Sequence, residues 1–315
     1  MEIFLTGGTG FVGRVLVEKL VADGHRIRLL IRPDRRPRST RRPDVATHPS
    51  VVKTPVNPWD SAALSAAMRG VDAVVHLVGI IGECGDQTFE AIHIRLTRIL
   101  VEAARMAGVQ RWIHMSALGT RPAAVSRYHQ TKWESEECVR SGLPSWTIFR
   151  PSVIYGPEDE FTHLFARLAA WSPFVPILGS GHNLLQPIAV ERVAEAFAGA
   201  LTRPEAVQRH FDLAGPERLS LEEIVRAVLH ANGLRRWLLH VPIPVARGQA
   251  RLLEWFWPPL MGSPAPLSRD QLRMLQEDNV GEPDEANRLF GLVHEPFATG
   301  IGRFYVAARS NRPAL

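Results

Sequence analysis

Two cysteines, Cys84 and Cys138, are all that the 315 residues contain. They form no CxxC pair and no paired framework, which excludes a disulfide scaffold and a cysteine-built zinc site and fits a reducing compartment. Lysine and tyrosine are almost as scarce, three of each, while arginine supplies 34 of the 37 basic residues. No apolar run reaches the ~18–20 residues needed to span a bilayer. Residues 1–4 lack a basic n-region and lead straight into a strand-like segment, so no secretory signal is expected. That favours a cytoplasmic protein. The twelve histidines include no HExxH, and the sequence offers no case for a metal.

What is present describes an ordered globular chain. Hydrophobic residues make up 45% and charged residues 22%, enough to build one large domain or two modest ones. The net charge of +5 is local. Between Arg26 and Arg42 lie eight arginines and one acid, Asp34, a net +7 that leaves −2 for the rest of the chain. A nucleic-acid face would spread its charge along a groove and interleave aromatics, so no nucleic-acid partner is expected.

The first two hundred residues alternate short apolar runs with helical periodicity, the pattern of βαβ units and a parallel sheet. We read strands at 2–6, 26–31, 51–54, 72–77, 111–115 and 145–149, and helices at 11–23, 61–69, 87–107 and 126–141. Residues 32–49, rich in Pro, Arg and Ser, read as an exposed loop. Beyond Pro151 the alternation loosens. Helices are expected at 161–170, 190–201, 219–231, 244–255, 268–276 and 283–290, strands at 185–188 and 210–213, and a frayed tail at 308–315.

Residues 5–13 read Leu-Thr-Gly-Gly-Thr-Gly-Phe-Val-Gly, with Gly7, Gly10 and Gly13 spaced GxxGxxG between the first strand and first helix. That is the context of a dinucleotide fingerprint. Gly7 permits the tight turn, Gly10 lets the backbone approach a pyrophosphate, and Gly13 lets the helix pack closely on the sheet. The helix N-terminus then offers free N–H groups and a partial positive charge. The second strand ends at Arg32 where a ribose-binding acid is usual, with Arg35 and Arg36 just beyond. A guanidinium complements a 2′-phosphate, favouring NADP(H) over NAD(H).

Residues 126–134 read Ser-Arg-Tyr-His-Gln-Thr-Lys-Trp-Glu at the start of the helix after the fifth strand. Tyr128 and Lys132 stand four apart on one helical face. With so few tyrosines and lysines, a chance Tyr-x3-Lys pair is rare. An ammonium beside the phenol is expected to lower its pKa from about 10 towards working pH, so the oxygen can give or take a proton. Ser116, at the end of the fifth strand, is the nearest hydroxyl to complete a triad.

The glycine turn, 72–79 (Asp-Ala-Val-Val-His-Leu-Val-Gly), 114–117 (His-Met-Ser-Ala), Tyr128-x3-Lys132 and 150–157 (Arg-Pro-Ser-Val-Ile-Tyr-Gly-Pro) follow in this order. The chain thereby resembles the extended and atypical short-chain dehydrogenase/reductases, the epimerase/dehydratase superfamily. Segments 150–159, 184–188 and 267–279 are most similar to the branch of the dinucleotide-binding accessory subunit of respiratory complex I and its bacterial relatives. The resemblance implies a Rossmann-type α/β fold, a doubly wound parallel sheet spanning 1–150 and about 184–213. A smaller α+β substrate lobe would come from about 151–183 and 214–305. It also implies that Gly7, Thr9, Gly10, Phe11 and Val12 meet the pyrophosphate, that Asn57 faces adenine, and that Leu77, Val78 and Gly79 pass under the ribose. Lys132 would hold the nicotinamide ribose, and residues 151–154, Pro151 and Ile154 at the ends, would meet the nicotinamide edge. His93 stands where the superfamily often keeps an Asn, and Ser116 precedes Tyr128 by only 12 positions.

Two functional classes fit. One is an NADP(H)-dependent oxidoreductase or epimerase/dehydratase acting on an unidentified small molecule, with Tyr128 and Lys132 as its acid/base pair. The other is an NADPH-binding scaffold or accessory protein. Residues 79–85 follow the fourth strand and are expected to line the substrate side. Residues 250–261 carry an aromatic, apolar face that reads as packing of the lobe or as contact with a protein or the inner face of a membrane. With Arg32 in place of an acid, NADPH should bind at least ~10-fold tighter than NADH, a difference of about 1.4 kcal/mol, and Arg32→Asp should shrink or invert the preference. Fluorescence titration of both cofactors checks this, and equal affinities would contradict it.

Overall fold

The computed structural model describes residues 1–33 and 48–310. Seven parallel strands form one sheet in the order β11-β6-β5-β4-β1-β2-β3. They are β1 (Glu2–Thr6), β2 (Arg26–Ile31), β3 (Val51–Pro55), β4 (Ala73–His76), β5 (Arg111–Met115), β6 (Ser145–Pro151) and β11 (Arg209–Leu213). Parallel strands buried on both faces need apolar residues on both, and β1 shows how they divide. Ile3 and Leu5 enter a core with α1 (Phe11–Ala22) and α6 (Val190–Ala200), whereas Phe4 enters a second core with α2 (Ser61–Met68), α3 (Leu96–Met106) and α4 (Arg127–Gly142). The same alternation sends Ile113 and Phe149 to the first core and Trp112 and Ile148 to the second.

Towards the C-terminal ends of the strands the second core turns polar. Two residues beyond Phe4, Val74 and Trp112 stand Thr6, His76 and His114, all buried. Thr6 Oγ1 lies 2.6 Å from His76 Nδ1, His76 Nε2 3.3 Å from Thr97 Oγ1, Thr97 3.2 Å from Ser135 Oγ, and Ser135 3.0 Å from His114 Nε2. Only His114 Nδ1 and the nearby Trp112 Nε1 lack partners in this layer among the described residues. It forms the floor beneath the crevice.

The remaining elements build the rest of the C-terminal half. α5 (Glu160–Trp171), α7 (Leu221–Ala231) and α11 (Phe297–Ser310) enclose a third core around Phe165, Ile224, Val228 and Ile301. α10 (Asp284–Phe290) packs Ala286 and Phe290 into the first core. A small parallel pair, β8 (Phe174–Leu178) with β13 (Trp237–Val241), leads into α8 (Ile243–Met261) and α9 (Arg269–Met274).

The strand expected at 185–188 is broken at Gln186-Pro187. β9 (Leu184–Leu185) pairs antiparallel with β12 (Leu219–Ser220), and β10 (Ile188–Ala189) pairs parallel with β7 (Ile154–Tyr155). The helix expected from 219 accordingly starts at Leu221, behind a Ser220–Glu223 capping box. Helix α11 continues through 310, and 311–315 lie outside the described residues.

Burial above all, then the charge of Lys132, pushes His76 down to about 3, and burial pushes His114 well below its ordinary range. Both rings are neutral in the fold and become protonated when it opens, so their contribution is complete above pH ~6.5 and is lost as pH falls below it. Between pH 7 and pH 5.5 protonation of the unfolded rings should cost about 1 kcal/mol of stability for each. Urea unfolding at the two pH values measures this. Equal midpoints would show that the rings are not held neutral.

Candidate active site

The first helix begins at Gly10 with no side-chain cap, so its N–H groups face the crevice at the end of β1 unmasked. Gly7 adopts φ +78°, and its N–H-to-carbonyl turn closes with Gly10 N bonded to Gly7 O at 2.9 Å. A Cβ on Gly13 would collide with the backbone of Gly7 and Gly8, while one on Gly10 would meet only Gly7 O, at 3.2 Å. Gly13 is therefore glycine for packing, and Gly10 for the space left above it. Thr9 O accepts from Arg14 Nε at 3.2 Å, and the Phe11 ring lies against Gly156. Val12 turns into the core. This cradle, on the strand from which the chain runs to both sides of the sheet, fits a pyrophosphate.

Arg32 is exposed at the end of β2; Asp34, Arg35 and Arg36 lie outside the described residues. Asn57, just past β3, is exposed, and its Oδ1 accepts from Trp59 N at 3.1 Å. Leu77, Val78 and Gly79 leave β4 at the same edge, with Leu77 and Val78 closing over Gly7. Pro151 O already accepts from Leu118 N at 2.9 Å, and Val153 O from Ile188 N at 2.9 Å. Ile154 is half-buried in β7.

Helix α4 brings the acid/base candidates to this edge. Ser126 caps it, accepting from His129 N at 3.2 Å. Lys132 is only 2% exposed, and its Nζ donates to Met115 O at 2.9 Å. A Cβ on Gly79 would stand 3.0 Å from that Nζ and 3.6 Å from His93 Nε2, so the glycine lets both side chains pack against its backbone. Burial lowers Lys132 to about 8, opposed by the Glu136 carboxylate one turn on. Glu136 is itself buried and is held by Arg150, with Nε–Oε1 at 2.9 Å and Nη2–Oε2 at 2.6 Å, and by Arg140 at 2.6 Å.

Tyr128 is half-buried, and its ring is packed by His93, His129 and Phe89, with centroids 5.4, 5.1 and 5.9 Å away. Its hydroxyl has no hydrogen-bond partner among the described residues. Burial pushes the phenol up to about 12. The expected lowering by Lys132 is absent: burial alone sets the shift, and the phenol keeps its proton at neutral pH. Ser116 is buried, and its Oγ donates to Thr120 Oγ1 at 3.4 Å; no described hydrogen bond joins it to Tyr128.

Two supports complete the site, the contacts of a residue the sequence singles out and a residue it does not. His93 sits in a π-helical turn, Glu90–Arg95, that precedes α3, a feature frequent at functional sites. Its Nε2 accepts from Ile80 N at 3.2 Å, which leaves the proton on Nδ1 to donate to Thr131 Oγ1 at 2.9 Å. Thr131 in turn donates to the Tyr128 carbonyl at 2.9 Å. The second support is Asp270 of α9, whose carboxylate accepts from Arg127 N at 2.8 Å and Tyr128 N at 2.9 Å. It caps the turn that carries the tyrosine from across the cleft.

The NAD(P)H-binding domain family matches residues 7–167, just over half of the chain. The chain belongs to the extended short-chain dehydrogenase/reductase-like family. Among curated members it is 30% identical over 273 residues to the ceramide reductase of Caulobacter vibrioides, covering 87% of this chain and 83% of that protein. It is 28% identical over 282 residues to subunit 9 of the mitochondrial NADH dehydrogenase [ubiquinone] 1 alpha subcomplex of Arabidopsis thaliana, covering 87% of this chain and 69% of that protein. Among solved structures, the dTDP-glucose 4,6-dehydratase of Streptomyces venezuelae, with NAD bound, shares the fold, with a TM-score of 0.74 at 20% identity, covering 99% of this chain and 98% of that one. The fold is shared with that dehydratase, and the family model and the ceramide reductase relative make this chain a member of the NAD(P)H-binding family.

Proposed function

We propose that the protein is an NADP(H)-dependent carbonyl reductase in which Tyr128 is the general acid and Lys132 its electrostatic support. The observation that carries this reading is the buried Lys132 ammonium, bonded to Met115 O and packed against Gly79, one turn from a tyrosine whose hydroxyl is unpartnered among the described residues. When bound, the cofactor supplies the hydride that reduces the carbonyl carbon. The carbonyl oxygen takes the proton from Tyr128 Oη, the O–H bond breaking towards the phenolate, which is reprotonated from solvent. Lys132 stabilises that phenolate and holds the nicotinamide ribose. Arg32 supports the preference for a 2′-phosphate, and the ceramide reductase relative supports reduction over epimerisation. The nucleotide part would comprise 1–150 and about 184–213, and the substrate lobe about 151–183 and 214–305.

A second reading rests on Ser116. Its hydroxyl is turned to Thr120, which leaves the proton-transfer group without a serine partner and, with the complex I subunit as a relative, supports a cofactor-holding accessory protein.

The two readings separate on two variants. Tyr128→Phe should leave NADPH affinity unchanged and lower turnover by ~10²–10⁴, the usual worth of a positioned acid. Lys132→Met should lose both. A ketone panel followed by NADPH absorbance, with fluorescence titration of the cofactor, measures the pair. Turnover by Tyr128→Phe equal to that of the unmodified protein would overturn the reductase reading.

A further inference from the structure

Large hydrophobic side chains concentrate on the surface of one part of the chain. In the β8–β13 pair, Val175 and Ile177 face inward, while Phe174 and its register partner Trp237 face out, Trp237 at 74% exposure. Pro242 alone then separates β13 from α8. Ala246 and Ala250 bury one face of α8 against Leu272 of α9. Its exposed surface carries Leu252, Phe256 and Leu260 at successive four-residue steps, with Trp255 preceding Phe256; Trp255 is 70% and Leu260 80% exposed.

The charge around this face has one sign. Residues 235–261 contain Arg235, Arg236, Arg247 and Arg251 against one acid, Glu254, which is committed to Arg269 at 2.6 Å. Arg235, Arg247 and Arg251 are exposed and have no carboxylate partner among the described residues. Arg247, Arg251 and Trp255 form a row along α8 beside the apolar row. Indole rings and guanidinium groups flanking an aliphatic stripe suit the headgroup level of a bilayer, and unpaired arginines suit anionic headgroups. No described helix is long and apolar enough to cross a membrane, so α8 would lie in the interface.

We infer that α8, with the outer face of β8–β13, docks on the surface of an anionic membrane. The docked part is coupled to the crevice. Pro264, just beyond α8, lies against Gly82, and α9 holds the Tyr128 turn through Asp270. A bilayer seated here places a carbonyl carried on a hydrocarbon chain next to the rim of the site. The docking stands on the surface itself and does not depend on the catalytic reading.

Co-sedimentation of the full chain with phosphatidylglycerol vesicles and with pure phosphatidylcholine vesicles tests it. The protein should bind the anionic vesicles at least ~10-fold more tightly than the zwitterionic ones. Phe256→Asp with Leu260→Asp should weaken binding by ~10-fold or more, and Arg247→Glu with Arg251→Glu should abolish the anionic preference. Both variants change exposed positions, and unchanged NADPH affinity verifies that they fold. Absence of binding to either vesicle, or binding indifferent to both pairs of substitutions, would overturn the proposal. So would a solution dimer that the Phe256→Asp, Leu260→Asp variant dissociates, since a second copy would then occupy the face.

Discussion

A single ammonium group in the interior sets the terms for the rest of the site. Lys132 is bonded to one backbone carbonyl, and its nearest counter-charge, Glu136, is already engaged by two arginines. Lowering its pKa from 10.5 to about 8 corresponds to roughly 3 kcal/mol against folding. That cost is complete below pH ~8 and fades as pH rises towards the unfolded value, because the unfolded chain holds the proton more tightly. The neighbouring residues accommodate it. His76, His93 and His114 stay neutral, each disfavoured as a cation first by burial and then by charges that include Lys132. The floor of the crevice therefore presents one positive charge among uncharged hydrogen-bonding groups, an arrangement suited to stabilising a phenolate and binding ribose hydroxyls.

The fold extends this economy outward. Thr6, His76, Thr97, Ser135 and His114 are linked in a layer only one residue deep, next to the side chains of Phe4, Val74 and Trp112, with His114 Nδ1 and Trp112 Nε1 the atoms left without a partner there among the described residues. Polar groups buried without partners are expensive, so the layer is tied to strand ends whose register is fixed by the apolar core below. Tyr128 is held from three sides: by rings, by the His93–Thr131 link to its carbonyl, and by Asp270 on its N–H. Because Asp270 belongs to α9, the position of the tyrosine depends on the same part of the chain that presents the exposed face of α8.

Most of the main sheet was legible because its strands are short continuous apolar runs separated by amphipathic helices, each a local signal. The phosphate turn and the Tyr128–Lys132 pair were legible for the same reason. Both are short-range patterns whose chemistry demands particular residues at fixed spacing. The β8–β13 pair escaped because Pro176 interrupts one strand and its partner lies some sixty residues away. Asp270 capping Tyr128 spans 142 residues and leaves no local trace. The π-helical turn that aims His93 and the upward shift of the Tyr128 phenol by burial are consequences of packing. Residue types suggested an acid/base pair with a lowered phenol, whereas the three-dimensional surroundings raise that phenol by burial.

The central claim is that the buried ammonium serves both the cofactor and the tyrosine. A crystal structure of the protein with NADPH tests it most directly. The account predicts Lys132 Nζ at hydrogen-bonding distance, about 3 Å, from the nicotinamide ribose hydroxyls, still bonded to Met115 O and lying under Gly79, with the nicotinamide beside Tyr128 Oη. NADPH bound with its ribose away from Gly79, and Lys132 touching only Met115 O, would contradict it.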